Sequence, residues 1–227
     1  MSDDVFALPD IEQTRGLDLV AQRTLGGGAQ VPRIPNRVSI GGPIVVAITA
    51  DKLASTELVE FVKAEAATSR YSIMRLTVSF HHEAAEPIRQ AVVAILLQSG
   101  DPAGVPPVAW SLDPKRLDRA PKQITGTIGL TAQLGVIQPT AQAQVVEQQA
   151  DALLVALGEL ESTPEWQFRG TDRNPLDGMY ALTMVCRIPA GTDARASLAI
   201  SARLERKALG VIPYSVELPD DQRTVAL

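Results

Sequence analysis

The two histidines of the chain, His81 and His82, are adjacent in the stretch SFHHEAAEP and are followed by Glu83 and Glu86. Imidazole beside carboxylate is the makeup of a general acid–base pair or a metal site. The spacing argues against both. In the preceding run, Met74, Leu76, Val78 and Phe80 alternate with Arg75, Thr77 and Ser79. A strand continued through the pair turns His81 and His82 to opposite faces, where they cannot share one ion. No zinc spacing occurs, such as two histidines four apart on a helix. If the strand stops at Phe80, the loop can fold back and gather His81, Glu83 and Glu86. His81, His82 and Glu83 are therefore the alternative catalytic set, beside the plainer reading of a polar strand end.

A second constellation lies in WSLDPKRLDRAPK, where Lys115, Arg116, Arg119 and Lys122 crowd around Asp113 and Asp118. Guanidinium groups are oriented donors for carboxylate or phosphate, and a tryptophan is a common anchor in interfaces. The segment 99 to 123 is rich in Pro and Asp and reads as a long loop, a place where function often sits. Trp110, Lys115, Arg116 and Arg119 are thus the expected partner- or anion-binding residues. The competing reading is a solvated, charge-balanced turn with Trp110 packed beneath it.

Other chemistry-bearing residues have structural explanations. Asp172, Asn174 and Asp177 in TDRNPLDG supply oxygens that calcium favours, but the spacing is not that of a calcium loop. Asn-Pro and Asp-Gly are turn formers, and the stretch is expected to join two strands. Cys186 belongs to the apolar set Tyr180, Leu182, Met184 and Ile188, which makes it a small buried hydrophobe rather than a nucleophile. Gly26, Gly27 and Gly28 are followed by Pro32 and Pro35 instead of a helix and a lysine, so they form no phosphate loop. No metal site and no cofactor is expected.

The elements that must position these residues follow from periodicity. Residues 1 to 37 mix Gly, Pro and charge without a repeat and read as a flexible tail or linker, leaving 38 to 227 as a single body. Strands are expected over 38 to 49, 71 to 82, 88 to 98 and 126 to 137. They are also expected in EWQFR, MYALTMVCRI, ARASLAISARLER and VIPYSVEL. The strand 88 to 98 is continuously apolar, as for a strand covered on both faces. Helices are expected in DKLASTELVEFVKAEAATS, capped by Ser55 or Thr56, and from Thr140 to Leu157, stopped by Gly158.

A shift of 88 residues superposes strand 38 to 49 on 126 to 137, Phe80 on Phe168 and Pro87 on Pro175. That suggests a duplicated strand-helix-strand-strand unit with halves 38 to 123 and 124 to 227. The expected fold is α+β, a largely antiparallel sheet with two helices. An all-β sandwich is the alternative if 140 to 157 is extended.

With 227 residues, 45% hydrophobic, the chain can bury a large core. A formal net charge of −5 argues against a broad nucleic-acid footprint. The apolar runs AVVAILL and ALLVAL are far shorter than the roughly 20 residues that span a bilayer. The acidic start lacks a secretory pattern and the single cysteine forms no internal disulfide. These features lead to the expectation of a soluble, cytoplasmic protein without membrane insertion. The expected function is a non-enzymatic binding or assembly module with a protein partner. The outward face of ARASLAISARLER suggests an edge through which copies can associate as a homo-oligomer. The alternative is an enzyme acting on a small anionic substrate, held by the loop arginines, with a histidine as acid or base.

Overall fold

A computed structural model of the protein describes residues 5–7, 11, 14–21, 33–119, 127–129, 152–206 and 210–227. The chain forms β1 (Val5–Ala7), β2 (Thr14–Ala21) and β3 (Arg33–Ile48), then a 3-10 turn at Ala50–Lys52 and helix α1 (Thr56–Glu65). It continues through β4 (Ser69–Phe80), β5 (Ile88–Ser99), β6 (Val108–Asp113), β7 (Arg116–Leu117) and β8 (Thr127–Gly129). The last part holds β9 (Leu154–Leu157), β10 (Glu165–Arg169), β11 (Gly178–Pro189), β12 (Ala194–Arg206), β13 (Gly210–Val216), the single-turn helix α2 (Asp220–Arg223) and β14 (Thr224–Ala226).

One antiparallel sheet runs in the order β6-β11-β4-β3-β2-β13-β12-β5-β10-β9-β7, with β14 paired to β12; β1 and β8 pair separately. Its two ends meet. β7 follows β6 within three residues yet pairs with β9 at the far end of the order. Leu160 N donates to Ala109 O at 2.7 Å and Ala109 N to Glu161 O at 2.9 Å, so the turn after β9 is bonded to β6. The sheet is nearly closed.

Closure follows from the period-two pattern, because every long strand has one apolar face to bury. Inside lie Met74, Leu76, Val78 and Phe80 of β4, Tyr180, Leu182, Met184, Cys186 and Ile188 of β11, and Ala196 to Leu204 at alternate positions of β12. Phe80, Phe168 and Tyr180 form a triad, with Phe80 to Phe168 ring centroids 5.0 Å apart and Phe168 to Tyr180 5.2 Å apart, both edge to face. Burial pushes the Cys186 thiol up to about 12, as expected for a core residue.

A second, smaller cluster lies on the outward face of β4 and β11. Leu58 of α1 packs there with Ile48, Tyr71, Ile73 and Val185, flanked by Phe61, Val62 and Trp110. Ser55 caps α1 by accepting from Leu58 N, as its position in the sequence predicts.

Several expectations are corrected. Among the described residues the fold is mainly β with two short helices rather than clearly α+β. Of the expected helix from Thr140 to Leu157, residues 140 to 151 lie outside the described residues and Leu154–Leu157 is a strand. A short apolar run such as LLVAL fits either period, and sheet pairing decided it. The segment 99 to 123 is not simply a loop, since it contains β6 and β7. Residues of the expected tail 1 to 37 supply β2 and the start of β3, and β2 sits between β3 and β13.

The duplication is not shown. Shifted by 88, the single strand β4 falls on 157 to 168, which is a turn and a short strand, and Phe80 and Phe168 meet in one core instead. β12 occupies its expected residues but is not an edge, because it pairs with both β5 and β13. The sequence 88 to 98 is not covered on both faces either, since Leu96 is 43% exposed.

Candidate functional site

β4 ends at Phe80, and His81 and His82 are exposed at the head of the loop. Arg37 fixes that loop: its Nε donates to His81 O at 2.9 Å, Nη1 to Glu83 Oε2 at 2.9 Å and Nη2 to Glu86 O at 2.7 Å. Glu83 is thus engaged by an arginine rather than by either histidine. His82 N donates to Asp177 Oδ1 at 3.2 Å, tying the loop to the β10–β11 connection. That connection is the turn the sequence predicts, closed by Thr171 N donating to Asn174 O at 2.9 Å and Asn174 N to Thr171 Oγ1 at 3.0 Å.

The His82 side chain lines a depression of about 270 Å³ with Pro87, Arg89, Thr171, Asp172 and Glu205. Arg89 there bonds Asp172 at 2.6 Å and also Glu205, and the two carboxylates, Asp172 first, push its pKa further up. Its Nε and Nη1 are engaged within the protein. Among the described residues, no three His, Cys, Asp or Glu side chains converge as a metal cluster.

Trp110, Lys115 and Arg116 have different neighbours. Trp110 stands on β6 at a bulge, where the register shifts opposite Val185 and Cys186. Its ring meets Tyr71 at 5.9 Å and lies under the Arg187 guanidinium at 5.4 Å. The tryptophan, partly buried, packs against the cluster that holds Leu58 of α1. Lys115 pairs with Glu159 at 2.8 Å, and Arg116 Nε with Asp118 at 2.9 Å. Asp113, at the end of β6, has its pKa raised by burial against the opposing pull of Lys115. Arg119 closes the described part of this segment.

Arg116 leads to the most distinctive surface. On β7 it stands opposite Val155, and the same row continues through Gln167, Val92, Ser201 and Ser215 across β9, β10, β5, β12 and β13. Paired residues share a face, so this row is outward. The next row toward the strand ends carries Arg169, Gln90 and Arg203, with Arg203 Nη1 donating to Gln90 Oε1 at 3.1 Å.

Two depressions of about 330 and 320 Å³ lie on this face and share Val92 and Ser201. Arg169 and Arg203 line one end of the groove and Arg223 the other, while Ala94, Ala199, Ser201 and Ser215 floor the middle. Among the described residues no Asp or Glu lines it. Glu165, beside Ala94 in register, is occupied by Gln167 Nε2 at 2.5 Å.

Small side chains on neighbouring strands let another main chain approach closely, and Gln and Ser can bond its amides. The sequence shows Ser201 and Arg203 as outward residues of β12. It does not show that β5 and β10 lie beside them, because pairing between distant strands leaves no local signal. No family model matches the chain, and no curated protein matches it at a significant level. On its geometry it belongs to the class of nearly closed antiparallel sheets with a polar, arginine-ended groove on the outer face. No helix among the described residues is long and apolar enough to cross a membrane.

Proposed function

We propose that the protein is a non-catalytic binding module whose outward groove takes a short acidic polypeptide segment. The observation that carries this reading is charge: in a chain of net charge −5, the groove is lined by three arginines and no carboxylate among the described residues. Arg116, expected from sequence as an anion-binding residue, stands in register beside it. Arginine forks hold carboxylates in two-bond geometry, and the small floor leaves room for the ligand backbone. The enzyme alternative needs a histidine and the loop cations in one pocket. The His82 depression includes none of residues 110 to 119.

The test is fluorescence anisotropy with a labelled twelve-residue peptide of alternating Glu and Gly, and its Lys counterpart as control. The acidic peptide binds saturably and weakens with salt, the Lys peptide does not bind, and Arg203→Glu with Arg169→Glu abolishes the signal. Equal binding by the charge-reversed protein overturns the reading. Loss of binding in His82→Ala alone moves the site to the other depression.

A further inference from the structure

At one end of the groove, Arg169 of β10 stands opposite Gln90 of β5, and Gln90 stands opposite Arg203 of β12. The two arginines thus flank one glutamine, with their main chains about 10 Å apart across two strand spacings. All three residues line the same depression of about 330 Å³. Arg203 leans across that interval, because its Nη1 donates to Gln90 Oε1 at 3.1 Å. The bond occupies the acceptor end of Gln90 and leaves its amide NH2 as a further donor. Ser201, the outward residue before Arg203 on β12, lines the depression too and adds a hydroxyl.

The neighbouring carboxylates are held elsewhere. The β5–β12 ladder passes from Arg203 opposite Gln90 to Leu204 opposite Ile88, so Arg89 is an extra residue of β5. A bulge of this kind redirects a side chain. Arg89 takes Asp172, at 2.6 Å, and also Glu205, the next outward residue of β12 after Arg203. Neither carboxylate lines the depression. Glu165, farther along β10, is bonded by Gln167 Nε2.

A carboxylate has two oxygens and one charge, which a single guanidinium fork satisfies. Two forks, an amide and a hydroxyl around one point call for more acceptors and more charge. A phosphate monoester brings three terminal oxygens and a charge of about −1.5 to −2 at neutral pH.

We propose that Arg169, Gln90, Ser201 and Arg203 form a subsite for a phosphorylated serine side chain carried by the acidic segment. The proposal rests on the groove reading above and names the residue that meets the arginine pair. At the other end of the groove Arg223 donates to Leu218 O and pairs with Asp220, and no second arginine lines it among the described residues. The segment therefore lies with its phosphate at the Arg169 and Arg203 end.

The full chain is titrated by fluorescence anisotropy with three labelled twelve-residue peptides of alternating Glu and Gly that differ at one central position, which is Ser, phosphoserine or Glu. The phosphoserine peptide binds about tenfold or more tighter than the Ser peptide, and the Glu peptide gains no more than about threefold. Arg203→Lys keeps the charge and loses the fork, so the phosphoserine gain falls below about threefold there, whereas Arg223→Lys keeps it. A phosphoserine peptide that binds no tighter than the Ser or the Glu peptide overturns the subsite and leaves the acidic-segment reading in place. A full gain in the double variant Arg169→Lys, Arg203→Lys overturns it as well. No binding by any of the three peptides overturns the groove reading and the subsite together.

Discussion

Arg37 Nη1 meets Glu83 Oε2 at 2.9 Å, with the arginine side chain 6% exposed and the glutamate 59% exposed. The pair is lopsided: Glu83 regains water when the arginine goes, whereas Arg37 also holds the carbonyls of His81 and Glu86. Arg37→Ala should therefore lower stability by about 2 kcal/mol, and Glu83→Gln by less than about 1 kcal/mol. Urea denaturation of both variants checks this, and equal losses would show that the ion pair, not the carbonyl bonds, fixes the loop.

The core triad gives a larger effect. Phe168 is 2% exposed and lies between Phe80 and Tyr180, so Phe168→Ala should cost about 3–5 kcal/mol. Phe168→Leu should cost clearly less, because it leaves a smaller cavity. Calorimetric melts of the two variants decide it.

Alkaline pH should destabilise the protein in two stages. Burial holds the Cys186 thiol at about 12, while the unfolded thiol titrates near about 8.5. Above that lower value the unfolded state loses the proton and the native state keeps it, so stability present below pH about 8.5 falls as pH rises toward the native pKa. Tyr71 and Tyr180, each raised to about 12 chiefly by burial, add the same sign from pH about 10 upward. Stability against pH in wild type and Cys186→Ala should diverge from pH about 8.5. Iodoacetamide at neutral pH should label Cys186 only after unfolding.

Trp110 separates packing from binding. Its contacts with Tyr71 and Arg187 predict a loss of about 2 kcal/mol in Trp110→Ala. Acidic-peptide binding by the folded fraction should not change. A binding loss without a stability loss would restore Trp110 as an interface anchor.

Strand identity was legible wherever alternation was long. ARASLAISARLER forms β12 over its whole length, and the apolar set through Cys186 faces the core. The cap at Ser55 was readable because it is a local hydrogen bond to Leu58. LLVAL was not, since a run that short carries no decisive period. TRGLDLVA was hidden by charge and glycine; its pairing with β3 and β13 supplies order that its own composition lacks. Arg116 stood out in the sequence by its charge, but the groove beside it needs Gln90, Gln167 and Ser201 from three separate strands. Arg75 was placed on its outward face by alternation, yet nothing local reveals that the face is buried.

The position of β2 also bears on the order of events at the ribosome. Thr14–Ala21 is synthesised well before one of its two sheet neighbours, Gly210–Val216. The sheet cannot be completed during synthesis until Gly210–Val216 has emerged. Until then β2 offers one unpaired backbone edge, the kind of surface that holding chaperones shield.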